Sequence, residues 1–133
     1  MLSLKILNRL RLGREVAAKI EPTLPNHQAW LLIWPKTDSE HGYFTKLSDY
    51  GEPLIVATSD QNPLIGFEII ITEIEQQRLE RALTNQWEIS YSMATLNRSE
   101  FAHDEIDLET KLSQWLSDLS LLRIPSDVQY PFC

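Results

Sequence analysis

Leu64-Ile-Gly-Phe-Glu-Ile-Ile-Ile71 opens the segment, residues 64–93, around which the rest of this chain is organised. Successive side chains of an extended strand point to opposite faces, so the odd-numbered residues of this run all fall on one side. Those residues are all apolar, whereas the other side includes Glu68. The pattern predicts a strand with one face in the core.

A helix is predicted directly after this strand. Thr72 and Glu75 have the spacing of a capping box, in which a hydroxyl and a carboxylate satisfy free amide donors of a starting helix. Apolar residues then recur at helical spacing, at Leu79, Ala82, Leu83 and Trp87. Beyond residue 87 the period returns to two, with Ile89, Tyr91 and Met93 alternating with polar residues. The segment therefore predicts strand, helix and strand in succession.

Three shorter strands are predicted ahead of this segment. Residues 29–34 are apolar on both sides of an extended chain, which indicates a strand covered on both faces, and Pro35 is expected to end it. Residues 43–47 and 54–58 are predicted as further strands, each bounded by polar turns. Short turns favour antiparallel pairing, and the strand after the helix is expected to join the same sheet.

The N-terminal residues combine apolar and basic side chains. Their apolar residues lie on one broad helical face, which predicts an N-terminal basic helix within residues 1–20. Gly13 interrupts this face, and Leu2, Leu4 and Ile6 also fit a short strand. A basic amphipathic helix can lie on anionic lipid. A helix that covers the sheet with its basic side in water is favoured instead, because the polar face of this segment is not purely polar.

The clearest amphipathic helix lies near the C-terminus. Asp107 is its predicted cap, and apolar residues follow at helical spacing, at Leu108, Leu112, Trp115, Leu116 and Leu119. Residues 95–107, just before this helix, are polar and acidic, and an irregular connection is predicted there.

These elements predict a single α+β domain over residues 1–133. Its sheet is largely antiparallel and has about five strands, with two or three helices packed on it. A chain of 133 residues can bury roughly 68% of its unfolded surface, which is enough for one core. Six apolar residues are expected to be buried together in that core: Trp30, Phe67, Ile69, Leu83, Trp115 and Leu116.

The charge is distributed unevenly along the chain. The net charge is −7, yet residues 1–20 hold five basic side chains and one acidic side chain, so the acidic excess lies in the rest of the chain. An acidic body disfavours nucleic acid as a partner, because phosphate contacts need clustered Lys and Arg. A basic protein partner is favoured instead.

Cysteine usage, glycine usage and hydropathy limit the function classes further. Cys133 is the only cysteine, which excludes an intramolecular disulfide and a cysteine-based metal cluster and fits a reducing cytoplasm. No apolar run is long enough to span a bilayer, so a soluble cytoplasmic protein is expected. The four glycines are isolated, so no glycine-rich phosphate loop exists, and the three histidines lack metal-site spacing. No cofactor or metal is expected.

One constellation could support catalysis. Asp38, Glu40 and His41 have the chemistry of an acid–base pair or of metal ligands. A polar hairpin turn explains the same residues and is the favoured interpretation.

The densest cluster of charge is acidic and lies at Glu100, Asp104, Glu105, Asp107 and Glu109. The cluster has no glycine where a calcium loop requires one. One interpretation is a solvated loop, and the other is a patch that docks on a basic protein. In the second interpretation the five charges project into water and are unneutralised in the free protein. Phe101 or Tyr91 would then be the aromatic anchor of the contact.

Two segments carry a resemblance to a known family. Tyr43-Phe-Thr-Lys-Leu-Ser-Asp49 and Ile65-Gly-Phe-Glu-Ile69 resemble the bacterial branch of the suppressor of fused domain family, in which a strand ending in Ser-Asp precedes an aromatic-Glu-apolar strand. The resemblance covers about a quarter of the chain. It implies an α+β domain that binds proteins, often as an immunity protein against a toxin, and it implies no catalytic residues.

The function expected from these observations is non-enzymatic protein binding. Its concrete form is an immunity or inhibitor protein that neutralises a basic partner such as a toxin. The alternatives are a secretion or assembly chaperone, a small enzyme with an unrecognised site, and a peripheral membrane protein.

Overall fold

The computed structural model describes residues 2–37, 44–47, 53–55 and 64–132. Their helices and strands follow the order α1 (Leu4–Arg11), β1 (Val16–Ile20), β2 (His27–Thr37), β3 (Phe44–Leu47), β4 (Pro53–Ile55), β5 (Leu64–Glu75), α2 (Gln76–Thr84), β6 (Leu96–Ala102) and α3 (Glu105–Leu112). Short 3-10 helices occupy Tyr91–Met93, Leu119–Leu121 and Pro125–Val128.

The main sheet has the strand order β1-β2-β5-β6, and every neighbouring pair is antiparallel. This arrangement confirms the predicted α+β class with a largely antiparallel sheet. Among the described residues the sheet has four strands rather than about five, because β3 and β4 pair with each other in a separate two-stranded sheet.

The strand β2 includes the apolar run 29–34, which predicted a strand covered on both faces. Leu31 and Ile33 are buried on one face and Trp30 on the other. The prediction that Pro35 ends this strand is wrong, because Pro35 pairs with Phe67 of β5. β1 pairs with β2 only as far as Ile33, so Pro35 lies beyond the last partner on that side. A residue without an N–H is tolerated at such an edge.

The end of β5 and the start of α2 differ from the predicted capping box. Thr72 and Glu73 lie inside β5 and are buried, because β2 continues to pair with this strand as far as Glu75. The helix begins at Gln76, and Glu75 is an N-cap residue without a side-chain capping hydrogen bond. Strand pairing over a long edge therefore overrides the local helix signal.

The third predicted element of this segment is also misplaced. Residues 88–93 do not form a strand; they include a 3-10 helix over Tyr91–Met93. The strand that follows α2 is β6, which lies within the stretch predicted as an irregular connection. Most residues of β6 are at least partly exposed, so its position follows from the ladder to β5, from Phe67↔Ala102 to Glu73↔Leu96, rather than from an apolar pattern.

Both terminal helices are shorter than predicted. α1 begins after the N-cap Ser3 and ends at Arg11, and residues 16–20 of the predicted N-terminal helix form β1 instead. α3 starts after the N-cap Asp104 rather than Asp107, and it ends at Leu112.

The apolar residues form two clusters rather than one core. The larger cluster joins α1 and α3 to one face of the sheet and contains Phe67, Ile69 and Leu116, with Trp115 packed at its margin. Trp30 belongs to the second cluster, which α2 and the C-terminal residues complete. Leu83 is 61% exposed, so its predicted burial is wrong.

Candidate protein-binding surface

The acidic residues singled out in the sequence lie near the end of β6, at the N-cap of α3 and in its first turns. We call this region the β6–α3 surface and define it by Glu100, Phe101, Asp104, Glu105, Ile106, Asp107 and Glu109. Two of its carboxylates build the turn. Asp104 Oδ1 accepts a hydrogen bond from the Asp107 N–H at 2.7 Å, and Asp107 Oδ2 accepts one from the His103 N–H at 3.0 Å. This reciprocal capping fixes the start of α3.

Several of these carboxylates have partners within the protein. Arg11 forms a two-pronged ion pair with Glu105, with nitrogen–oxygen distances of 2.7 and 2.9 Å. Lys111 lies 3.3 Å from Asp107. Glu109 Oε1 accepts a hydrogen bond from the Leu2 N–H at 2.7 Å. The expectation that all five charges are unneutralised in the free protein is therefore wrong for Glu105 and Asp107.

These contacts also lower the pKa values of two carboxylates, those of Glu105 and Asp107. The hydrogen bond from Arg11 holds the pKa of Glu105 below its ordinary value. The backbone hydrogen bond from His103, supported by Lys111, lowers the pKa of Asp107. Both carboxylates are therefore held in the charged form at neutral pH.

Two apolar side chains are exposed on this surface. Phe101 is 39% exposed, and its ring lies over Gly66 of the neighbouring strand and meets the ring of His103 edge to face at 5.1 Å. Ile106 is 78% exposed in the first turn of α3. Ile106 was not among the residues predicted to bind a partner. The one sequence feature that could have indicated its exposure is its position, because Ile106 lies off the helical face that carries Leu108 and Leu112.

Tyr91, the other aromatic anchor considered, has a different role. Its ring stacks on Phe132 at 5.1 Å, and its hydroxyl lies 2.6 Å from that of Tyr130. Tyr91 packs against the second apolar cluster, so Phe101 is the aromatic side chain that the β6–α3 surface presents.

One cleft lies on the α3 side of the sheet and has a volume of about 760 Å³. Glu73 lines it and is 1% exposed. Its Oε1 accepts hydrogen bonds from the N–H groups of Thr23 and Leu24 at 2.6 and 3.2 Å, and its Oε2 accepts one from the Thr23 hydroxyl at 2.6 Å. With both oxygens engaged, this carboxylate anchors the loop between β1 and β2.

The other sites considered from the sequence are a catalytic group, a metal site and a membrane-binding segment. Asp38, Glu40 and His41 lie outside the described residues. Within the described ranges, no group of three His, Cys, Asp or Glu side chains is arranged to hold a metal ion. No helix in these ranges combines the length and the apolar character needed to cross a bilayer. Comparisons of the chain with protein-family models, with curated proteins and with solved structures find no match.

Proposed function

We propose that this protein is a protein-binding domain that docks on a basic partner through the β6–α3 surface. The observation that carries the proposal is the exposure of Phe101 and Ile106, which lie on either side of the N-cap Asp104 along an acidic stretch of the chain. Interfaces combine a few apolar anchors with a polar rim, and rim charges steer the encounter of complementary partners.

The ion pairs within the surface leave it acidic. The surface contains five carboxylates, and the two cations that pair with it, Arg11 and Lys111, do not balance them, so the region keeps a negative net charge. The electrostatic field that an approaching partner meets before contact depends on this net charge. The pairs also hold the carboxylates in place, so a partner meets a preorganised surface and less entropy is lost on binding.

An immunity or inhibitor protein is the concrete form that we propose. The resemblance to the suppressor of fused domain family supports it, and Ile65–Ile69, one of the two resembling segments, forms part of β5. The single cysteine supports a cytoplasmic location, where such a protein would meet a toxin before it acts.

The experiment uses a basic toxin domain encoded next to this reading frame as the partner. Binding kinetics are measured for the wild-type protein and for the variant Phe101→Ala/Ile106→Ala. We expect faster dissociation and an affinity about tenfold weaker or more, because apolar anchors mainly set the dissociation rate.

The matched control is Leu83→Ala/Trp87→Ala, which removes two exposed apolar side chains around the end of α2. This control should bind like the wild type. Equal loss in both variants, or loss only in the control, would place the contact away from the β6–α3 surface. A partner that binds neither protein while remaining folded and active argues against the proposal.

A further inference from the structure

A second charged surface, of opposite sign, lies between α1 and the C-terminal residues 122–127. It is a cleft of about 360 Å³ that we call the α1 cleft. Four cationic side chains line it, those of Lys5, Arg9, Arg14 and Arg123. Among its described lining residues the only carboxylate is that of Asp127. Three of these cations belong to the basic residues 1–20 of a chain whose net charge is −7.

The end of α1 sets two of these cations side by side. The Gly13 N–H donates to the Leu10 carbonyl at 2.9 Å, and the Arg14 N–H donates to the Arg9 carbonyl at 3.1 Å. Gly13 has a φ of 81°, a value that glycine adopts at little cost. These two bonds form a Schellman motif, which turns the chain back and brings Arg14 close to Arg9.

Two further contacts fix residues of the α1 cleft, one through a guanidinium group and one through the backbone. Arg9 Nε donates to the Glu15 carbonyl at 2.6 Å, an arrangement that fixes the group and leaves its terminal nitrogens for other acceptors. Arg123 comes from the opposite end of the chain. Its backbone N–H and carbonyl pair with those of Ala17, each at 2.8 Å, so the edge of β1 holds Arg123 beside the cleft.

None of these four cations forms an ion pair with a carboxylate of the described residues, whereas Arg11 on the same helix does. The helix dipole favours Arg9 near the C-terminus of α1. It disfavours Lys5 in the first turn, and it does not explain Arg123, which lies on another segment. Clustered like charges repel each other, so an anion bound among them would be strongly attracted.

The chemistry of the lining identifies the class of anion. Guanidinium groups bind phosphate oxygens in a two-pronged geometry. The apolar side chains of Ile6, Leu122 and Ile124 line the same cleft. Its volume falls within the range of small-molecule sites. We propose that the α1 cleft binds a small molecule that carries a phosphate group on an apolar body, supplied either by a soluble phosphate ester or by a lipid headgroup.

The test is a titration of the isotope-labelled full chain with phenyl phosphate, followed by amide chemical shifts. We expect saturable shifts that centre on residues 5–14 and 122–127. The variant Arg14→Gln/Arg123→Gln should bind about tenfold more weakly or worse, because each lost guanidinium removes a charged hydrogen bond. The matched control Arg78→Gln/Arg81→Gln removes two arginines from the exposed side of α2 and should bind like the wild type.

Two further arms identify the source of the phosphate. Flotation with vesicles that contain phosphatidic acid, reversed by phenyl phosphate, would assign a lipid headgroup, and saturation by phenyl phosphate without flotation would assign a soluble ester. Shifts that do not saturate, shifts at other residues, or equal affinity of the Arg14→Gln/Arg123→Gln variant would overturn the proposal. Self-association of the wild type that this variant abolishes would also overturn it, because the cleft would then hold a second copy of the chain.

Discussion

Glu73 and Thr23 join the end of β5 to the loop between β1 and β2 through two hydrogen bonds of 2.6 Å each. The carboxylate accepts from both the N–H and the hydroxyl of Thr23, and it is 1% exposed. Within the described residues Glu73 has no cationic partner, so its burial is compensated by hydrogen bonds alone. The stability of the protein should therefore fall when either the buried carboxylate or its hydrogen-bond donors are removed.

Replacement of Glu73 by Ala should lower the free energy of unfolding by about 3 kcal/mol, because it removes the hydrogen bonds that Thr23 and Leu24 donate to this buried carboxylate. Glu73→Gln retains one acceptor oxygen and should cost less. Urea denaturation measures both changes. Glu88→Ala, at an exposed site, is the control and should change stability by less than about 0.5 kcal/mol. A similarly small effect of Glu73→Ala would show that the loop is held by other contacts.

Gly66→Ala should destabilise the protein by about 2 kcal/mol, since overpacking forces its neighbours to move. A Cβ at position 66 would lie 2.3 Å from Cζ of Phe101 and 2.6 Å from the Ala102 carbonyl oxygen. Thermal denaturation should show a lower Tm. Truncation of the ring in Gly66→Ala/Phe101→Ala should restore only part of the loss, because the backbone oxygen remains. Full stability of the single variant would mean that the Phe101 ring does not lie over Gly66.

Two leucines of α2 provide a direct test of which helix face is buried. Leu79 is buried and Leu83 is exposed, although both were at apolar positions of the sequence pattern. Leu79→Ala should cost about 3 kcal/mol on denaturant titration, whereas Leu83→Ala should cost less than about 0.5 kcal/mol. The reverse order would mean that α2 packs on the sheet through its other face.

The Arg11–Glu105 pair should make stability depend on pH. Because Arg11 lowers the pKa of Glu105 in the folded state, the pair contributes stability above the unfolded pKa of about 4.3 and loses it as pH falls through the lower folded value. The stability difference between the wild type and Arg11→Gln should therefore shrink below about pH 4. Urea titrations across the acidic range measure it, with Arg14→Gln as a control. A difference that stays constant through this range contradicts the pairing.

The charge of the β6–α3 surface can be reduced without breaking its capping contacts. Glu100→Gln/Asp104→Asn removes two charges, and Asn is as good an N-cap residue as Asp. With a basic partner the variant should associate more slowly, and its association rate should depend less on salt. Stopped-flow measurements at low and moderate ionic strength compare it with the wild type. Identical rates and salt slopes would indicate that these carboxylates lie outside the contact.

The local pattern identified the central strands because burial and periodicity agree there. The apolar run at 29–34 and the alternating apolar residues in 65–71 predicted β2 and β5, and the spacing of Leu108, Leu112 and Leu116 indicated the face that α3 and the turn after it bury. The acidic cluster of the candidate surface was also found from the sequence. Its internal partners were not, because Arg11 and Leu2 come from the other end of the chain.

The amino-acid sequence by itself determined the fold class, the two central strands and the acidic character of the chain, since each depends on composition or on neighbours along the chain. Tertiary structure alone decided where β5 ends, that the polar β6 is a strand, and that Leu83 is exposed. It also decided the α1 cleft, which Arg123 and Arg14 line from opposite ends of the chain. These features depend on pairing and burial between distant segments, and the free energy of such contacts is absent from any local pattern.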